Sequence, residues 1–279
     1  MLVSIVIPAY RAQDSLAETV RSIMAQTFTN WECIVVSDDG ADYAACLRDS
    51  GIFDPRVRHV STGKVGSGCH AARNRGLREC RGEIVCALDA DDAWLPRRLE
   101  VLVPQAEKYG ASVDGPRVIQ AGDGSVLYVA FEGHASPFML GVSELLRLTC
   151  PLFPLTRHEL ALPRTAGIEH LEDVVSNVLL ISSNGPIWAT PEVLMDYRVL
   201  PGSMCHGNDS ARQFDRAYAD IIARISNETL PVSPEVRPEV IAGLERKRTL
   251  NRQFSTARDQ TSDLNFQKFA AAQSRSRHT

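Results

Sequence analysis

Nothing in the 279 residues approaches an uninterrupted apolar run of 18, so no segment reads as a membrane-crossing helix. A C-x-x-C pair is also absent. The seven cysteines, at positions 33, 46, 69, 80, 86, 150 and 205, are odd in number and follow no recurring spacing. That pattern argues against a disulfide framework or a zinc site, and for buried thiols in a reducing cytosol. The chain lacks a basic excess: its formal net charge is -4, unsuited to coating nucleic acid or an anionic membrane. The opening "MLVSIVIPAY" has no basic flank and meets Pro8 quickly, so it reads as a strand and not as a signal peptide. These absences together predict a soluble, cytoplasmic protein with no nucleic-acid partner.

The length suits one large domain or two small ones with a substantial core. Strand-like and helix-like segments alternate through the first half. Leu2 to Ile7, Cys33 to Val36, Val57 to Val60 and Glu83 to Leu88 are β-rich runs. Between them, Ser15-Leu-Ala-Glu18 has the form of a capping box, opening a helix with Leu16, Val20, Ile23 and Met24 on one face, and Ala72, Leu77 and Cys80 recur at helical spacing. Such alternation implies a largely parallel sheet with helices on both faces, whose ligands bind at the carboxyl ends of the strands.

Carboxylates gather at those ends. "CALDADD" places Asp89, Asp91 and Asp92 just past one strand, "IVVSDDG" places Asp38 and Asp39 past another, and Pro8-Ala9-Tyr10 follows the first. Asp also favours turns and helix caps, which is the plain structural account. Yet two unit charges about 4 Å apart repel by roughly 1 kcal/mol even in bulk water, and by more in a drier site. A cation is the first candidate to offset that cost. In the second half, Val174, Val175, Val178 and Leu179 mark an amphipathic helix with Glu172 and Asp173 in its first turn, where acidic residues also complement the helix dipole.

Four segments, "VSIVIPAYRA", "TVRSIMAQTFTNWECIVVSDDG", "GCHAARNRGLRECRGEIVCALDADDAWLP" and "EDVVSNVLLISSNGPIWATPEVLMDYRVLPGSM", resemble in order and spacing the GT-A glycosyltransferases of family 2, from about Leu2 to His206. The resemblance implies a nucleotide-binding α/β half joined to an acceptor-binding half, and a nucleotide-diphosphate sugar as donor, with a UDP-sugar expected. It implies that Asp39 contacts the nucleobase and that Pro8 and Tyr10 shape its pocket. Asp89 and Asp91 would be the D-x-D pair, with Asp91 on a divalent metal, Mn²⁺ or Mg²⁺, and Asp89 toward the ribose or the metal's surroundings. Arg73 and Asn74 would face the donor, with Lys64 a weaker candidate, and Asp173 would be the catalytic base. Hard oxygen ligands suit those two ions, and no clustered His and Cys are present for zinc.

The chain also departs from the family. Leu200 stands where many relatives have His in Y-R-x-H-P-G-S, which leaves His206 or His170 as replacements, and the usual G-G-F-D-E approach to the base reads "RTAGIEH". Gly66-Ser-Gly68-Cys-His-Ala71 fits the G-x-G-x-x-A dinucleotide fingerprint, but the "STGKV" before it is a polar loop and a poor strand. Beyond Asn208 the resemblance fades. "RQFDRAYADIIARI" reads as a helix, "LPVSPEVRPEVIAGLERKRTL" as a Pro-broken loop and a second helix, and the remainder as a polar tail. From Ala211 to Thr279 there are 12 Lys or Arg against 8 Asp or Glu, a net of +4 that leaves -8 for the rest.

The expectation is therefore an α/β, GT-A-like, mostly parallel sheet with helices on both faces and a C-terminal helical appendage. Residues 1–110 would form the donor half, 111–208 the acceptor half carrying the base, and 209–279 the extension. The expected reaction moves a sugar to a hydroxyl of a saccharide or lipid-linked saccharide, with metal and with inversion. A sugar nucleotidyltransferase and a non-catalytic nucleotide-sugar-binding protein are the alternatives. The extension could pack passively, act as a lid, make a homo-oligomer contact, or present Arg246, Lys247 and Arg248 to a lipid-linked acceptor at the inner face of the membrane.

Overall fold

The computed structural model describes residues 1–200, 209–259 and 264–275. In chain order the elements begin with β1 (Val3–Ala9), α1 (Leu16–Met24), β2 (Trp31–Ser37), α2 (Tyr43–Asp49), β3 (Val57–Ser61), α3 (Cys69–Leu77), β4 (Ile84–Ala87), β5 (Ala93–Trp94), α4 (Arg98–Tyr109) and β6 (Ala111–Asp114). Then come β7 (Arg117–Gln120), β8 (Val126–Val129), β9 (Phe138–Leu140), α5 (Val142–Leu145), β10 (Leu155–Arg157), α6 (Glu172–Asn184), β11 (Ile187–Thr190) and β12 (Met195–Val199). Three helices follow: α7 (Ser210–Ser226), α8 (Arg237–Arg258) and α9 (Phe266–Arg275).

An eight-stranded sheet has the order β3-β2-β1-β4-β10-β6-β11-β9. β3, β2, β1 and β4 run parallel, β10 is wedged antiparallel between β4 and β6, β11 is parallel to β6, and β9 closes the edge antiparallel. Both faces of the parallel part are covered, as its near-continuous apolar strands require. Val3, Ile5 and Ile7 pack toward Leu16, Val20 and Ile23 of α1 and Leu99 and Leu102 of α4. Val6, Ile34 and Val36 face Ala72 of α3 on the other side. A second sheet, β5-β12-β7-β8, stands beside the first. A further core joins β6, β11 and α6 to α7 and α8 through residues such as Val178, Ile221 and Leu244.

Two local expectations change. The capping box does not close: Ser15 makes no side-chain cap, Met24 is exposed, and Glu18 pairs with Arg198 on β12 instead. A long-range ion pair has taken the carboxylate that the local motif would use. The polar tail contains α9, whose Phe266 and Phe269 pack on Phe254 of α8 with ring centroids 5.5 and 5.8 Å away. Gln267 fastens α9 to the body, accepting from Tyr128 Oη at 2.6 Å and donating to the Thr149 carbonyl at 2.9 Å. Asp215 clamps α7 to α8 through Arg248 at 3.0 Å and Arg252 at 2.6 Å. No helix among the described residues is long and apolar enough to cross a membrane.

Gly76 lets α3 lie against the sheet: a Cβ there would meet Val6 Cγ1 at 2.3 Å and Val36 Cγ2 at 3.1 Å. Gly76→Ala gains helix propensity of up to about 1 kcal/mol but overpacks the contact by about 1–3 kcal/mol. A net loss of stability is expected in urea unfolding, and an unchanged or raised midpoint would refute this packing argument. Arg252 and Arg248 hold the Asp215 carboxyl at about 2, below its ordinary 3.8. A depressed carboxylate stabilises the fold above its unfolded value, and that contribution is lost as pH falls through the folded one. Asp215→Asn is therefore expected to melt below the parent protein at pH 7, with the gap closing between about pH 4 and pH 2.

Candidate active site

The carboxyl ends of β2, β1 and β4 lie side by side and carry the acidic residues. At β2, Asp38 is buried and organises the loop that leads into α3. It accepts from the Ser67 and Gly68 N–H groups at 3.0 and 2.9 Å and from the Thr62 hydroxyl at 2.8 Å. Gly68, at φ +93, is the residue from which α3 starts. The glycines of the apparent dinucleotide fingerprint thus shape a loop tied to Asp38, and Lys64 on that loop is exposed.

Asp39 is half-buried. It accepts from the Arg11 N–H at 2.7 Å, the Ala41 N–H at 3.0 Å and the Tyr43 hydroxyl at 2.8 Å. Burial pushes its carboxyl up, but those donors outweigh it and hold the group below the ordinary value, as a charged carboxylate. Arg11 adopts φ 52 to aim its N–H there, and its guanidinium lies over the Tyr10 ring at 5.2 Å. Tyr10 is 49% exposed, Pro8 half-buried.

Beyond β4 the three aspartates separate by environment. Asp92 is fully buried and accepts the Arg198 N–H at 2.9 Å, tying the β4 end to β12. Burial, then Asp91 and Asp89, push its carboxyl far above the ordinary range. Asp92 caps no helix, since α4 starts at Arg98 with no side-chain cap; it is an internal tie. Asp89 is paired with Arg73. Asp91 lines the cavity, and burial followed by the Asp89 charge raises it to about 6, with Arg198 and Arg73 only partly opposing.

That cavity, about 300 Å³, also holds Arg73, His170, Asp173 and Lys247. Arg73 is buried and reaches from α3 to both Asp89 and Glu172, 99 residues away. Arg164 engages the same Glu172 from the other side at 2.8 Å. Glu172 is thus held between two arginines, and of the two adjacent carboxylates lining the cavity Asp173 is the one with no ion pair among the described residues. Leu171, held at φ 65, turns the chain into α6 so that these adjacent residues take different directions. Burial, then the Glu172 charge, raise Asp173 above its ordinary value, while Arg73 and Lys247 pull it back.

The structure brings Asp89, Asp91, Arg73 and Asp173 together, and sets Pro8, Tyr10 and Asp39 along the neighbouring strand ends, outside the cavity. Asn74 does not reach the cavity: its amide is spent on the Arg164 backbone, accepting from N–H at 2.6 Å and donating to C=O at 2.9 Å. It positions Arg164, and with Arg73 and Arg164 it lines a separate, smaller cavity. His206 lies outside the described residues. His170 lines the cavity, edge-on to Phe214 at 4.9 Å. Nor do Arg246, Lys247 and Arg248 share one surface. Lys247 turns into the cavity and donates to the Leu148 carbonyl, while Arg248 is spent on Asp215. Sequence reasoning missed Arg164 and Arg198 and gave Lys247 a surface role; their contacts are 8, 106 and 99 residues distant.

Arg73→Leu would leave Asp89 unpaired and Glu172 with half its counter-charge. Breaking a buried ion pair in this way costs about 3–5 kcal/mol. That loss is expected in urea-unfolding free energy, and a loss below about 1 kcal/mol would mean the carboxylates are balanced by other groups.

The pattern of glycosyl transferase family 2 matches residues 4–160. Among curated relatives, the Escherichia coli UDP-Glc:alpha-D-GlcNAc-diphosphoundecaprenol beta-1,3-glucosyltransferase WfgD is 32% identical over 111 residues, 40% of this chain and 43% of WfgD. The putative teichuronic acid biosynthesis glycosyltransferase TuaG of Bacillus subtilis (strain 168) is 28% identical over 211 residues, 73% of this chain and 81% of TuaG. The match to WfgD thus spans less than half of that protein's length. Staphylococcus aureus TarS 1-349 in complex with UDP-GlcNAc superimposes with a TM-score of 0.70 at 16% identity, over 97% of this chain and 79% of that one. The mannosyltransferase PcManGT from Pyrobaculum calidifontis in complex with GDP-Man and Mn²⁺ gives 0.59 at 17% identity, over 98% and 78%. The structural likeness establishes a fold shared with these glycosyltransferases. With more than half of its length matched by the family pattern and the strand-end carboxylates arranged as described, the chain belongs to glycosyl transferase family 2.

Proposed function

We propose that the protein transfers a sugar from a nucleotide-diphosphate donor, most simply a UDP-sugar, to a hydroxyl of a saccharide or lipid-linked saccharide, with inversion at the anomeric carbon. The observation that carries this reading is the single cavity in which Asp89 and Asp91, at the end of β4, share a space with Asp173, while Glu172 is neutralised by two arginines. Support for the donor class comes from TarS and PcManGT, whose structures hold UDP-GlcNAc and GDP-Man, and from the activity in WfgD's name.

In this reading the nucleobase lies over Tyr10 and Pro8, with its N–H edge toward Asp39, which the Arg11 and Ala41 amides keep charged. The sugar end points past Asp89 and Arg73 into the cavity. Asp91 suits a divalent cation of the Mg²⁺ or Mn²⁺ type: it is a hard oxygen donor, made costly by burial beside Asp89, and among the described residues no three His, Cys, Asp or Glu are placed to hold a metal ion by themselves. One or two carboxylates with diphosphate oxygens completing the shell match that donor set. When bound, such an ion neutralises charge developing on the diphosphate.

Asp173 takes the proton of the acceptor hydroxyl as its oxygen bonds to the anomeric carbon. The bond from that carbon to the diphosphate oxygen breaks on the opposite side, and its electron pair leaves with the nucleotide diphosphate. A carboxylate raised by burial is a better base than a solvated one, because its affinity for the proton is closer to what the step needs. Attack from the face opposite the leaving group produces inversion. Such a reaction would take place in the cytoplasm, with lipid-linked acceptors met at the inner face of the membrane.

Asp91→Asn is expected to abolish Mn²⁺-dependent UDP-sugar binding in calorimetry. Asp173→Asn should bind donor with an affinity close to that of the parent protein and lose about 10²–10⁴-fold in kcat. Normal turnover in Asp173→Asn would remove it as the base, and metal-independent donor binding in both would remove the cation site.

A further inference from the structure

The cavity contains polar groups that the transfer step does not use. The Ser210 hydroxyl, on a residue 2% exposed at the start of α7, has no hydrogen-bond partner among the described residues. The Nε2 of His170, three residues before Asp173, is likewise buried without one. Both residues line the cavity that contains Asp173. Leaving a buried donor or acceptor unpaired costs about 1–3 kcal/mol, and two such groups on one wall mark a place where something else supplies the partners.

Opposite in character are the rings around them. Phe214 comes from α7, Phe254 from α8 and Phe266 from α9, and all three line the same space. Together the wall offers hydrogen-bonding atoms at an edge and an apolar surface alongside. A pyranose has that division itself, with hydroxyls around the rim and C–H groups on its faces. A simple alcohol or a serine side chain brings one hydroxyl, leaving both Ser210 and His170 unpaired once Asp173 has taken the reacting group.

We propose that this wall is a saccharide-acceptor subsite, in which Ser210 and His170 bond hydroxyls neighbouring the one that Asp173 deprotonates, and Phe214 and Phe266 cover a face of the ring. It rests on the reading of Asp173 as the base. Its residues lie between 170 and 266, outside the family-matched 4–160, so the chain's own C-terminal helices set which acceptor enters. The extension is then a working part of the site, with its placement set by the Asp215 clamp and by Gln267.

The test uses n-octyl glycosides of glucose, galactose and N-acetylglucosamine as acceptor probes, with Mn²⁺ and whichever UDP-sugar the protein binds. Ser210→Ala and His170→Leu should each raise the KM of the accepted glycoside about tenfold, the value of one hydrogen bond of about 1.4 kcal/mol. Donor Kd should remain within twofold of the parent protein. Because Ser210→Ala removes an unpaired buried hydroxyl, its melting temperature should not fall. Glycoside KM values within twofold in both variants would overturn the subsite, as would transfer to 1-octanol as efficient as to any glycoside, or to none of the glycosides. A protein that bound no nucleotide sugar at all would fail before acceptor is added, and that failure would belong to the reaction assigned above.

Discussion

The buried guanidinium of Arg73 is the contact on which the site depends. Five carboxylates, Asp89, Asp91, Asp92, Glu172 and Asp173, converge from two distant stretches of chain, and in a medium of low effective dielectric they could not stay charged together without cations among them. Arg73 touches one from each stretch. Arg164 takes the other oxygen of Glu172, Arg198 meets Asp92 through its backbone, and Lys247 lies toward Asp173. Neutralisation is unequal: Glu172 is held by two arginines, Asp92 is raised far above its ordinary range, and Asp91 and Asp173, both raised by burial, line the cavity. Among the described residues these two carboxylates make no ion pair, which fits the roles proposed for them above.

Much of this was legible in the sequence, for a physical reason. Parallel strands buried on both faces need continuous apolar runs, and β1, β2 and β4 are such runs, so their carboxyl ends could be located by inspection. Once those ends were placed, Asp39, Asp89 and Asp91 followed from the general preference of α/β sheets for ligands there. The first-turn position of Asp173 on α6 was visible from the spacing of Val174, Val175 and Val178. By contrast β5, β9 and β10 are two or three residues long, too short for any periodicity to register, and the antiparallel insertion of β10 beside β4 could not be anticipated.

The roles of individual polar residues were less legible because pairing is a long-range event. Asn74 sits in the segment that faces the donor in the family, yet Arg164, 90 residues on, claims its amide. Glu18 completes a capping box on paper, yet Arg198 claims its carboxylate. In both cases a charged or backbone partner delivered by the fold outcompetes the local use suggested by spacing. Asp92 shows the converse: spacing alone gives it no role beside Asp89 and Asp91, and it holds the end of β4 to β12.

The C-terminal helices alter how the molecule divides its labour. The strand ends proposed to face the donor belong to the family-matched segment, whereas α7, α8 and α9 contribute Ser210, Phe214, Lys247, Phe254 and Phe266 to the cavity wall. Lys247 links the two sides electrostatically, since it opposes the rise in Asp173 while burial lowers its own ammonium below the ordinary lysine range. A shift of α8 along the sheet would therefore change the reacting carboxylate and the acceptor wall at once. Because Asp215 and Gln267 pin those helices by a few specific hydrogen bonds and not by apolar packing alone, sequence change there can reshape the acceptor wall while the Arg73 centre, tied to β4 and α6, stays intact.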